Sequence, residues 1–104
     1  MPEPETTPPP AELASNASSA AAYLKTLAHE GRLMILCHLA EGEKTVGKLE
    51  KLLDMRQAAV SQMLARLRDD GLVVTRREGK SIHYNLSDGN TKEVIGLLYK
   101  LFCG

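Results

Sequence analysis

At 104 residues the chain is long enough for one domain with a modest core and too short for a second. Apolar residues supply 43% of it but aromatics only 4%, so the core has to be aliphatic, which suits packed helices better than a β-sandwich. Formal net charge is zero, no apolar run reaches the length of a membrane span, and no charged-then-apolar leader opens the chain, so a cytoplasmic protein without a membrane partner is expected.

Residues 1–11 are proline-rich and acidic, without apolar periodicity, and read as a disordered tail ahead of a single domain at 12–104. From Glu12 to Leu27, "ELASNASSAAAYLKTL" is alanine-rich, with Leu13, Ala17, Ala20, Leu24 and Leu27 at helical spacing. "AHEGR" breaks the pattern, and a second helix runs from about Arg32 to Glu41, ended by Gly42. Thr45 is placed to cap a third helix, "VGKLEKLLDM", whose Val46, Leu49 and Leu53 recur at steps of three and four. After a short turn near Met55–Arg56, "QAAVSQMLARLRDDG" carries one narrow apolar stripe, Val60, Met63, Leu64 and Leu67, and closes at Gly71. The period then changes: β-branched segments at about 72–77 and 81–86 flank the polar "EGKS", a hairpin pattern. The last segment, "NTKEVIGLLYKLFCG", has a broad apolar face of Val94, Ile95, Leu98, Leu101 and Phe102.

This order predicts a mainly α fold with a β-hairpin wing, a winged helix-turn-helix. The last helix is too apolar for the edge of a small monomer and the first is rich in small residues, so the two are expected to pair across a two-fold axis. The neutral total charge hides a local imbalance: residues 56–84 hold Arg56, Arg66, Arg68, Arg76, Arg77 and Lys80 against Asp69, Asp70 and Glu78. With the apolar stripe of the fourth helix buried, Gln57, Ser61, Gln62 and Arg66 face outward, and the hairpin adds Arg76, Arg77, Lys80 and His83. Glutamine suits adenine edges, arginine suits guanine or phosphate, and the wing cations suit flanking phosphates of double-stranded operator DNA. The plainer alternative is that these residues only solvate an exposed helix and turn.

The two cysteines, Cys37 in "RLMILCHLAEG" and Cys103 in "LLYKLFCG", each sit in an apolar helical segment. A reducing cytosol argues against a permanent disulfide. From the residues alone they are buried small hydrophobes, metal ligands or a chemical switch. Lys100, His38 and Arg32 are candidate thiolate stabilisers. No nucleophile–base constellation, glycine-rich phosphate loop or C-x-x-C motif supports an enzyme, and no cofactor is implied.

The stretches "LAHEGRLMIL", "VSQMLARLRDDGLV" and the wing ending in "IHYNL" resemble the ArsR/SmtB family of bacterial winged-helix repressors, over about residues 20–103. The resemblance implies a homodimeric repressor that leaves its operator when an inducer reaches a sensor site, with DNA contacts falling on Gln57, Ser61, Gln62, Arg76, Arg77 and Lys80. Metal sensing, common in that family, lacks its usual ligands here. The segment "TVGKLEKLLD" has neither cysteine nor histidine, and the last helix offers Asp88, Glu93 and Cys103 without a histidine. Cys37 and His38 are adjacent on a helix, so their side chains diverge by about 100°. No metal ligands are therefore assigned.

The BigR/SqrR-type subgroup of that family has one cysteine within "LCHL" of the second helix and one near the end of the last, matching Cys37 and Cys103. That likeness implies a dithiol sensor of reactive sulfur species controlling sulfide-handling genes. A direct disulfide formed by a general oxidant is the alternative, with metal sensing behind it. Each sulfur atom inserted between two thiols lengthens the link by about 2 Å, so a persulfide or polysulfide donor could join cysteines too far apart for an unstrained disulfide.

Overall fold

Local capping chemistry sets most of the element boundaries. The computed structural model describes residues 9–103. The elements are α1 (Pro10–Leu27), α2 (Glu30–Ala40), β1 (Lys44–Thr45), α3 (Val46–Leu53), α4 (Gln57–Asp69), β2 (Val73–Glu78), β3 (Ser81–Leu86) and α5 (Gly89–Cys103). Most of the expected tail, residues 1–8, lies outside the described residues. Its last two positions do not fit the expectation, because α1 already begins at Pro10, where a missing N–H costs nothing at the first helical position. Helix α2 starts two residues earlier than its apolar pattern suggests, because His29 Nδ1 accepts the Arg32 amide at 3.2 Å and caps it. Thr45 caps α3 as expected, its hydroxyl accepting the Lys48 amide at 3.2 Å. Helix α4 ends at Gly71 (φ +79), where the Leu72 amide reaches back to the Leu67 carbonyl at 2.9 Å, the six-to-one bond of a Schellman ending.

The hairpin pairs Val73 with Leu86 through Glu78 with Ser81, leaving Gly79–Lys80 as a two-residue loop. Gly79 takes φ +61 at the first central position, as a type II′ turn requires. The sheet has a third strand that periodicity did not suggest. Lys44 pairs with Tyr84 and Thr45 with His83, giving the antiparallel order β1-β3-β2. Two residues are too few to show a period, and only the pairing partner 38 or more positions away makes them a strand.

The core lies between α2, α3, α4 and the base of the hairpin. Ile35, Leu36, Leu39, Leu49, Val60, Leu64, Leu67 and Val73 are almost completely buried, and the α4 stripe of Val60, Met63, Leu64 and Leu67 is buried as its spacing predicts. Gly31 leaves room for α4, since a Cβ there would lie 2.5 Å from Met63 Sδ. Two helices remain short of partners. In α1 only Thr26 and Leu27 are buried. On α5, Leu97, Tyr99, Leu101 and Phe102 are 56–81% exposed. The radius of gyration, 15.7 Å, exceeds the roughly 13 Å of a compact chain of this length, consistent with a projecting α1.

Leu36→Ala should lower the unfolding free energy by about 2–5 kcal/mol, the cost of an aliphatic truncation that leaves a cavity. Urea titration reads this directly, and a loss well under about 1 kcal/mol would show that α2 is not the centre of the core.

Candidate nucleic-acid interface and thiol pair

The outward side of α4 holds the residues expected to meet DNA. Gln57, Ser61, Gln62 and Arg66 are all exposed, but they do not form one group. Gln57 and Ser61 share a flank, Gln62 lies beyond them, and Arg66 comes about 180° round the helix from Gln57 at nine residues' separation. That places Arg66 toward α1, where its Nε donates to Asp70 at 2.7 Å. The same Asp70 oxygen accepts the hydroxyl of the buried Thr26 on α1. Both hydrogen bonds hold the Asp70 carboxyl below its ordinary range, Thr26 contributing most.

The wing cations also divide. Arg76 sends Nε and one terminal nitrogen to the two carboxylate oxygens of Glu43, and its other terminal nitrogen to Glu78 at 3.0 Å. His83, its cross-strand partner, has Nδ1 at 3.5 Å from Glu43 and Nε2 at 3.8 Å from Glu78. Asn85 donates to Glu43 at 2.8 Å. Glu43 was not singled out from the sequence, and no local signal marks it: its main partner lies 33 residues away. The Arg76 and Asn85 hydrogen bonds, in that order, hold its carboxyl down to about 2. By contrast, Arg77 and Lys80 are exposed and enter no ion pair among the described residues.

The thiols come from α2 and α5, two helices that pack on each other. Cys37 is half-buried on α2, and Cys103 is exposed at the end of α5. Burial pushes the Cys37 thiol up, and the neighbouring Cys103 and Glu41 push it further in the same direction. The two cysteines, 66 positions apart in the chain, are thus carried on helices that pack together. Two of the three basic residues considered as thiolate stabilisers have other partners. Arg32 donates to the Thr26 carbonyl at 2.8 Å, and His38 Nδ1 lies 3.9 Å from Glu41. Beside Cys37 opens a cleft of about 460 Å³, lined also by Glu41, Lys92, Ile95, Gly96 and Tyr99. Among the described residues, no three His, Cys, Asp or Glu side chains come together as a metal site would require.

Comparison with known proteins agrees with this geometry. A family model described as "Bacterial regulatory protein, arsR family" matches residues 29–75, from the His29 cap through the helical pair to the first wing strand. It takes in Cys37 but stops short of Cys103. A biofilm growth-associated repressor of Agrobacterium fabrum is 51% identical over 84% of this chain and 74% of its own. HlyU of Vibrio cholerae, described as a transcriptional activator, is 46% identical over 88% of this chain and 85% of its own. Its reduced form superposes with a TM-score of 0.85 at 45% identity, covering 89% and 98% of the two chains. A homodimeric winged helix-turn-helix DNA-binding domain from Mycobacterium bovis shares the fold at a TM-score of 0.78 and 28% identity, over 92% and 89%. The recognition pair, the hairpin and the sequence likeness lead to one assignment: the chain belongs to the ArsR family of bacterial regulatory proteins.

Proposed function

We propose that the protein is a cytoplasmic homodimeric repressor that holds operator DNA while its thiols are reduced. It releases the DNA when reactive sulfur species join Cys37 to Cys103 through inserted sulfur, and its targets are sulfide-detoxification genes. The observation that carries this reading is that Cys37 sits half-buried on α2 beside α5, the helix that packs on it and ends in the exposed Cys103. The relatives named above carry opposite regulatory labels; repression asks only that the operator be occupied, which a DNA-binding unit of this size does by exclusion. The exposed apolar residues of α5, with the uncovered length of α1, favour a two-fold pairing that presents two copies of α4 to two half-sites.

The chemistry is balanced with an organic trisulfide, RSSSR, as donor. The exposed Cys103 thiolate attacks the central sulfur, forming one S–S bond and expelling RS⁻. Cys37, once deprotonated, attacks that same sulfur in the resulting Cys103–S–S–SR and expels a second RS⁻. The two thiol protons end on the two RSH products. The trisulfide is reduced, the thiols are oxidised, and one donor sulfur remains in the bridge. Because Cys37 is half-buried with its thiol pushed up, the exposed Cys103 is the better first nucleophile. Closing the bridge ties α2, which carries the core, to α5, which carries the dimer face. A coupling of about 3 kcal/mol between the two states would change operator affinity more than a hundredfold.

After exposure to an organic trisulfide, mass spectrometry should find a Cys37–Cys103 crosslink retaining donor sulfur, and DNA from upstream of the protein's own gene should be released. Cys37→Ser and Cys103→Ser should both stay bound under the same treatment. Release by the Cys103→Ser protein, or a crosslink without added sulfur, would sink the polysulfide switch, and the latter result would favour a general oxidant. Leu101→Glu should convert a dimer to a monomer in sedimentation equilibrium and abolish half-site cooperativity; a dimer that persists would move the interface off α5.

A further inference from the structure

Glu43 lies between α2 and β1, outside every element expected to touch DNA, yet it collects more polar partners than any other side chain of the wing region. It reaches both hairpin strands around the Arg76–His83 pair: Arg76 on β2, His83 opposite it on β3, and Asn85 two residues further along β3. The short β1 ladder joins β3 at that same level, through Thr45 and His83. Two further cross-strand pairs, Arg77–Ile82 and Glu78–Ser81, carry the hairpin onward to its Gly79–Lys80 tip. A two-stranded ribbon is at best marginally rigid in water. A bidentate carboxylate–guanidinium fork is among the stronger and more directional polar contacts a protein can place there.

The fork also decides which wing cations are free. All three guanidinium nitrogens of Arg76 are engaged, two by Glu43 and one by Glu78. His83 stands between the same two carboxylates. We propose that Glu43 is a positioning residue for DNA binding: it clamps the wing to the α2–β1 loop through Arg76 and Asn85, and leaves Arg77 and Lys80 as the wing's phosphate contacts. This rests on the DNA-binding reading above but not on the thiol chemistry. It reassigns Arg76 and His83 from DNA contact to wing support.

The test uses full-length protein with duplex DNA from upstream of its own gene, titrated across salt concentrations. Hydrogen exchange of the free protein is followed in parallel. A clamp predicts that Glu43→Gln and Arg76→Gln each weaken binding by about fivefold or more, and that the double variant is no worse than either single one, since both remove the same contact. Arg76→Gln should leave the salt slope unchanged, whereas Arg77→Gln or Lys80→Gln should reduce it by about 0.9, one phosphate each. Wing amides at positions 75–78 and 81–85 of the free Glu43→Gln protein should exchange faster, while α3 and α4 stay protected.

If Glu43 only competes with DNA for Arg76, the signs reverse. Glu43→Gln would then bind more tightly with a steeper salt slope, and that result overturns the proposal. Additive losses in the double variant, or unchanged wing exchange, overturn it as well. Binding by no form of the protein, with faster wing exchange still seen, would sink the DNA-binding reading and leave only a structural clamp; the positioning role would be overturned with it.

Discussion

The burial of Ile35, Leu36 and Leu39 along α2 is the constraint on which the rest of this molecule depends. Each such side chain contributes about 1.5–3 kcal/mol when removed from water, a large share of the margin of a domain this small. Helix α2 packs on α1, α3, α4, α5 and β3, so every other helix takes its bearing from it. Both surfaces with chemistry hang from its ends and sides. Cys37 lies on its flank against α5, and the loop that leaves its C-terminus delivers Glu43 to the wing immediately after Gly42. Cys37 and the helical pair α3–α4 are therefore joined through one element.

Charge in this protein is informative only after pairing is taken into account. The basic segment of residues 56–84 looks like a DNA-binding face when its cations are counted, yet two of them are already engaged inside the molecule. Arg66 is tied to Asp70, and through it to Thr26 of α1. Arg76 is tied to Glu43 and Glu78. Those bonds convert long, mobile cations into struts between elements, which is why zero net charge, a basic segment and a small set of free cations are compatible descriptions of one surface. The thiol pair follows similar logic in the opposite direction. Burial first, then a second sulfur and a glutamate, oppose ionisation of Cys37.

Much of the architecture was legible in the chain. Helical spacing located α3, α4 and α5, Thr45 announced its cap, and the change of period at Leu72 together with "EGKS" announced the hairpin. The buried stripe of α4 could be named residue by residue because 3.6-residue periodicity and burial are the same fact seen twice. Likeness to a known family singled out the two cysteines. What escaped was everything that depends on a distant partner: the two-residue β1, the early start of α2 at its histidine cap, and Glu43.

By itself, then, the sequence determined the order and type of the elements, the aliphatic core and the identity of the outward-facing α4 residues, because these follow from local propensity and periodic burial. Only the tertiary structure decided which charges are spent within the molecule, where the wing is fastened, and that cysteines 66 positions apart stand on two helices that pack together. The physical reason is range. Capping and periodicity act over a few residues, whereas an ion pair or a reactive thiol pair depends on a separation in space that no local pattern encodes.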